Sequence, residues 1–408
     1  MADLPPLIAY ETLLWLGLNH ERANQIWERW EQITPIEDDN PHYDNESLGL
    51  FAKDFLRNLV KYEEGCDIYG DVDWTPNLRQ IGANEDLIDA IVNSEYRSIQ
   101  LSQSGLDWVL QAMEWRWEYL VHVYKAQRDE EGSEDSDGEH GSHAELGDVS
   151  RTPLTAAARA QFENAASAAE ESHGRRTIPS RHPDRPGEDT TAFSYDCETN
   201  PALDAAGRPL DYIPLWRATS RITAEGMWRT GKFKLSKLST MSLDFSGRQA
   251  VHSWKLDLEA AQMYALFAQR LARPAEICLV RFELPLELVT EVPTMILRWS
   301  EEDWKRIVYH SRRRDHLPKD LRMRVRAAHW IIGDTASGPH VKYEKMKDWT
   351  EVDEKCVLRL RSGRPVTQFV FDHADNYGLE EKLEELGNGW VSIRDAERPS
   401  KILPPWGM

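Results

Sequence analysis

The sequence predicts an α+β protein with a helical N-terminal part, a disordered connector and a C-terminal part built on a mixed sheet. Three observations carry this. Apolar residues recur at three- and four-residue spacing over 9–125. Large apolar side chains become scarce over 126–205. Beyond 206, short apolar runs alternate with helical patterns. The expected divisions are therefore 1–125, 126–205 and 206–408.

In the first part, Leu14, Trp15, Leu18, Ile26, Trp27 and Trp30 share a helical stripe, as do Leu50, Phe51, Phe55, Leu56 and Leu59. Trp108, Val109, Met113, Trp117, Leu120, Val121 and Tyr124 form a broader one, which Ser104 is placed to cap with Asp107 as the acid of a capping box. Pro35, the Asp-Asp-Asn-Pro stretch at 38–41 and Gly82 punctuate the helices. The 16 Trp are many for this length, and most have charged neighbours, which fits helices with Trp inward and a wet opposite face.

The connector opens with an acidic run: 129–148 holds 9 Asp and Glu and no Lys or Arg. An Ala/Ser/Arg/Pro-rich stretch follows, with one Ala-rich helix expected over Thr155 to Glu171. Too little apolar surface is available there to offset the entropy of ordering.

In the last part, strands are expected at Leu215 to Ala218, Ala250 to Trp254, Ile277 to Glu283, Trp330 to Ile332, Val357 to Leu360 and Gln368 to Phe371. Helices are expected at Leu258 to Leu271 and Ser300 to Ser311, and an extended tail at the C-terminal Leu-Pro-Pro-Trp-Gly. Single polar residues (Arg217, His252, Gln368) interrupt the apolar strands. A buried polar side chain is costly unless paired, so these three are candidates for one shared cleft.

Composition narrows the functional classes. The net charge of -20 argues against general nucleic-acid binding, although Arg298 to Arg326 is locally basic; within it, Lys305 to Arg326 reads as a solvated helix face, the alternative being a site for phosphate groups on a protein or RNA partner. Cys66, Cys197, Cys278 and Cys356 form no CxxC, so neither a disulfide framework nor a zinc module is expected. No apolar run approaches the ~20 residues of a membrane span. No basic segment followed by an apolar one opens the chain. The expected location is intracellular, cytoplasmic or nuclear.

The dinucleotide-fold glycine fingerprint, the P-loop, HExxH, GxSxG and the kinase set are all missing. Gly333 to Gly338 lacks a lysine and reads as a turn. His310, Asp315 and His316 would need further ligands to hold a metal, and none is expected. Cys356 with His373 is a candidate thiolate pair only if the fold joins them. The Asp372-His373-Ala374-Asp375 stretch reads as a turn.

Four ordered patterns resemble an ADP-ribosyltransferase-fold family of fungal and bacterial proteins. Leu215-Trp216-Arg217-Ala218-Thr219-Ser220 is similar to the family's opening strand. Asp244-Phe245-Ser246-Gly247, then Val251-His252-Ser253-Trp254 and the helix from Leu258, is similar to its second block. His329-Trp330-Ile331-Ile332-Gly333 and Thr367-Gln368-Phe369-Val370-Phe371 are similar to its later strands. The patterns span about 212–380, and the resemblance is silent on 1–205.

The resemblance implies a split β-sheet that binds NAD in a bent shape. It places Arg217, with Thr219 beside it, at the pyrophosphate or the adenosine-side ribose; an Arg fork suits this. It places His252 or Ser253 near the nicotinamide ribose and Gln368 at the third motif position. Trp254, like Trp216, has either a core place or a stacking place on a ring. The chain departs from the family in carrying Gln368 where active members usually carry Glu, and Ala218 where the opening strand usually has Gly. A Glu stabilises the oxocarbenium-like charge as nicotinamide leaves, and losing such help typically costs ~2.7–4 kcal/mol. Glu225, Glu276 and Glu380 are alternative carboxylates.

The resemblance thus implies an NAD-consuming enzyme, either transferring ADP-ribose to an acceptor recruited by the helical part or hydrolysing NAD. The alternative is an adaptor that keeps the fold without the chemistry and binds a protein partner.

Overall fold

A computed structural model of the protein describes residues 4–33, 47–60, 73–134, 173–179, 192–198, 202–203, 209–210, 212–227, 234–238, 240–241, 244–245, 247, 250–372 and 391–395. The turn at 38–41, Pro35, the helix expected from Thr155, Glu380, His373 and the C-terminal tail lie outside them.

Among the described residues seven α-helices precede the main sheet: α1 Tyr10–Trp15, α2 His20–Ile33, α3 Ser47–Val60, α4 Thr75–Ile81, α5 Glu85–Ile91, α6 Arg97–Gln100 and α7 Gly105–Glu134. Ser104 and Gly82 act at helix ends where the sequence places them, and Asn84 adds a cap. Ser104 Oγ accepts from the Asp107 amide at 3.1 Å and donates to the Asp107 carboxylate at 2.7 Å, closing the capping box of α7. Asn84 accepts from the Leu87 amide to cap α5. Gly82 closes α4 at φ 105°, and a Cβ there would lie 2.4 Å from Arg22. Arg22 uses that space to donate to the free carbonyls of Gln80 and Ile81.

Within 126–205, the described residues hold the end of α7 and the antiparallel strands β1 His173–Pro179 and β2 Ala192–Glu198, then β3 Ala202–Leu203, which pairs with β4 Pro209–Leu210.

The main sheet is mixed. Its strands are β5 Tyr212–Ser220, β6 Thr240–Met241, β7 Ala250–Lys255, β8 Ile277–Pro285, β9 Thr294–Leu297, β10 Trp330–Asp334, β11 Thr367–Asp372 and β12 Val391–Asp395. The order is β12-β8-β5-β7-β11-β10-β9, with β6 on β7; only β9 and β10 run parallel among the described pairs. Helices α8 Arg221–Gly226, α9 Leu258–Ala272, α10 Leu286–Thr290, α11 Glu302–Arg312, α12 Lys319–Ala327 and α13 His340–Glu344 connect them.

Beyond β1 to β4 and β6, which the sequence does not predict, two further strands of the main sheet exceed the expectation. β9 follows Pro293 as a four-residue apolar run too short to show a period, and β12 is half-exposed. The strand expected at Val357 to Leu360 forms isolated bridges instead, Ala336 with Val357 and Arg359 with Pro365. Gly363, at φ 82°, turns the chain back on itself, so Val366 donates to Leu358 and the run cannot extend along the sheet.

One contact decides where the cavity lies. β5 and β8 pair along nine positions, from Tyr212 with Pro285 to Ser220 with Ile277. β7 and β11 pair along five. Between β5 and β7, Trp216 with Lys255 is the sole pair in register among the described residues. The sheet is therefore two ladders pinned at one point, and it opens beside that pin.

Helix α9 ties the helical part to this sheet. Met263, Phe267 and Leu271 belong to the helical core, with Phe267 edge-on to Trp108 at 4.8 Å, whereas Ala261, Ala265 and Ala268 pack on Trp216 and Leu279. Arg116 of α7 donates to the Leu271 carbonyl at 2.9 Å, and Thr223 donates to Glu118 at 3.1 Å. Among the described residues no helix is long and apolar enough to cross a membrane.

Phe267→Ala removes a fully buried ring at this shared seam, and the expected loss is about 3–5 kcal/mol. Urea unfolding followed by Trp fluorescence and by far-UV dichroism would show both signals shifting together. A shift in one signal alone would mean that the two parts unfold independently.

Candidate functional site

A cavity of about 210 Å³ lies where the sheet opens. β5 contributes Trp216, Arg217 and Ala218, β7 contributes Ser253 and Lys255, and β11 contributes Gln368. Ala261 and Tyr264 of α9, Asp244, Thr335 and Arg312 close it, and Ser102 and Gln103 of the helical part complete the rim.

On β7 and β11, strand alternation explains the membership. On β7, Ser253 and Lys255 share the cavity face, while His252 and Trp254 point to the opposite core. On β11, Gln368 shares the cavity face, while Phe369 and Phe371 face that same core. His252 is buried and stacks on Phe371 at 4.8 Å. Trp254 packs on Phe282 at 5.4 Å. Thr219 lies further along β5, buried beside Cys278, with its carbonyl accepting from the thiol. Arg217, Ser253 and Gln368 are thus brought together; His252, Trp254 and Thr219 stand away from the cavity lining.

A buried ion pair supports the floor. The Asp244 carboxylate accepts from Arg312 at 2.6 Å, from the Ala336 amide at 3.1 Å and from the Gln368 amide nitrogen. Arg312 spends its other donors on the carbonyls of Ser102 at 2.9 Å, Gly338 at 2.9 Å and Ala336 at 2.8 Å. Burial is the largest influence and works against its charge, but Asp244, with Tyr343 and Tyr264, together outweigh it and hold the guanidinium above its ordinary value. With its nitrogen turned to Asp244, Gln368 presents Oε1 to Ser253, whose hydroxyl donates at 3.1 Å. The Ser253 proton is committed, so its oxygen offers lone pairs to the cavity.

Two cations remain. Arg217 makes one long bond, to the Ser253 carbonyl at 3.4 Å, and burial pushes its guanidinium down to about 10. Lys255 donates to Thr335 Oγ1 at 3.2 Å and lies 5.5 Å from the Tyr264 ring. Burial lowers its amine to about 8.

Asp244, Lys255 and Arg312 are additions to the candidates drawn from the sequence. Lys255 was readable, since period-2 spacing puts it on the Ser253 face. Arg312 sits in the Arg312-Arg313-Arg314 run, and Arg313 and Arg314 do stay accessible; its own position four residues beyond Val308 on the apolar face of α11 marked it. Nothing in the sequence tied Asp244 to Gln368 across 124 positions.

Glu225 is exposed on α8 and Glu276 pairs with Arg221 at 2.9 Å; neither lines the cavity. Cys356 is buried, with Asp353 at 3.7 Å. Among the described residues no group of His, Cys, Asp and Glu is placed to hold a metal ion. No family model, curated protein or solved structure matches the chain.

Arg312→Met strands a buried carboxylate, and the expected loss of stability is about 3–5 kcal/mol. Adding Asp244→Asn removes the stranded charge and recovers part of that loss. Chemical unfolding of the single and double variants checks this, and a double variant no more stable than Arg312→Met would refute it.

Proposed function

We propose that this cavity binds NAD and that the protein consumes it, by transfer of ADP-ribose or by hydrolysis. The observation that carries the reading is the convergence of Arg217, Ser253 and Gln368, from three separate strands, on the opening beside the β5–β7 pair. The order of the sequence patterns resembling the ADP-ribosyltransferase fold adds to it, and that fold is part of the proposal. Arg217 would anchor the pyrophosphate with two parallel hydrogen bonds. The Ser253 oxygen would accept from a ribose hydroxyl or the carboxamide.

Gln368 carries no charge, but its amide is polarised by Asp244 behind it. A hydrogen bond from the amide nitrogen to a carboxylate increases the negative character of Oε1. The Asp244 charge would thereby act at a distance on the positive charge that develops as nicotinamide leaves.

A second reading, binding without turnover in an adaptor protein, is favoured by a specific feature. The carboxylate lining the cavity, Asp244, is already occupied by Arg312, Ala336 and Gln368. Direct contact between it and a ribose would require breaking that network.

Calorimetry of the full chain with NAD, beside Arg217→Ala, with free nicotinamide followed in the same samples, tests both readings. The proposal expects binding that Arg217→Ala weakens about tenfold or more, with nicotinamide released. Binding without release supports the second reading. No binding at millimolar NAD would refute both as regards the dinucleotide.

A further inference from the structure

We infer that Arg217 and Lys255 form a two-cation subsite for a phosphoryl or pyrophosphoryl anion, with Lys255 as the residue that sets its charge requirement. This deepens the reading of the cavity as a ligand site, and it holds whether or not NAD is cleaved there.

The argument starts from charge. The cavity lining holds the cations Arg217, Lys255 and Arg312 and the carboxylate Asp244. Arg312 and Asp244 satisfy each other at 2.6 Å. Asp257, the next carboxylate along the chain from β7, is held by Arg364 at 2.6 Å and by the Thr367 amide at 2.8 Å. Among the described residues no carboxylate lies in ion-pair contact with Arg217 or Lys255. Arg217 and Lys255 are half-buried; neighbouring cations partly withdrawn from water with no counter-charge in contact are costly, and an anion between them offsets that cost.

Donor geometry agrees. Lys255 uses one of its three N–H groups on Thr335, and Arg217 uses one of its five on Ser253. The remaining donors have no partner among the described residues. Lys255 stands opposite Trp216 at the pin of the sheet, one position from Arg217, so both cations are fixed by the strands rather than by loops. Trp216 and Tyr264 give the cavity apolar walls, which strengthen charge–charge attraction by excluding water.

The amine is the member of the pair that titrates near neutrality. Burial lowers it to about 8; Asp244 and Asp257 favour its charge, whereas Arg312 and Arg217 oppose it. Burial holds the Tyr264 hydroxyl above its ordinary value, so it stays neutral here. An anion favours the protonated amine. Affinity is therefore full below about 8 and falls as the pH rises through it.

The test uses the full chain and inorganic pyrophosphate, with ADP-ribose and orthophosphate as parallel probes, by calorimetry at neutral and at alkaline pH. Pyrophosphate is expected to bind the native chain and to weaken at alkaline pH. Lys255→Met should lower affinity by about tenfold and abolish the pH dependence. Lys255→Arg should keep the affinity and also lose the pH dependence, since its charge persists. Near-UV dichroism of each variant reports whether the fold is intact. Pyrophosphate binding without any nicotinamide release would leave this subsite standing while the NAD-consuming reading fails. Tighter binding of ADP-ribose than of pyrophosphate would place the anion within a nucleotide, and equal binding would place it as a free ion. The inference is overturned if none of the three anions binds at millimolar concentration, or if Lys255→Met, correctly folded, binds pyrophosphate as the native chain does.

Discussion

The Arg312–Asp244 pair is the interaction on which the rest of the site depends. It is buried, it joins segments 68 positions apart, and it reaches the helical part through the Ser102 carbonyl. A buried pair of this kind is often no more stabilising than well-packed apolar residues. What it supplies here is placement. Asp244 fixes which end of the Gln368 amide faces Ser253, and Arg312 fixes the loop from Ala336 to Gly338 that passes beneath the cavity. Gly333 belongs to the same arrangement: a Cβ there would meet the Phe245 ring at 2.6 Å, so the bare strand lets the segment carrying Asp244 lie close.

The second constraint is the incomplete seam between β5 and β7. A fully laddered sheet would leave no room beside Trp216, and the side chains of Ser253 and Gln368 would be covered by α9. Because the ladders part after one pair, polar side chains on inner strands reach a common space. The apolar faces on the other side of the sheet remain continuous, with Trp254, Phe282, Phe369 and Phe371 filling the gap behind the opening. The cavity is therefore bought without loss of the core behind it.

Much of the architecture was legible from pattern alone. The stripe from Trp108 to Tyr124 and its Ser104 cap, the helix from Leu258 and the strands carrying Arg217, Ser253 and Gln368 each have a period or a start signal that physics reads directly. The site was legible only in part, because two kinds of information are not local. His252 and Ser253 are adjacent in sequence, and which faces the cavity depends on where β11 and α9 pack. Arg312 looks like a solvated charge and Asp244 carries no local sign of its partners until tertiary contact removes both from water. Val357 to Leu360 failed for a related reason: its apolar composition suits a strand, but the Gly363 turn returns the chain before a partner strand can pair.

Helix α9 faces two cores, and the cavity it walls is rimmed by Ser102 and Gln103 from one of them. A molecule held there touches both parts of the protein at once. By mass action, its binding free energy adds to whatever already keeps those parts docked. A bound molecule would then also act as a latch, fastening the helical part more firmly to the sheet.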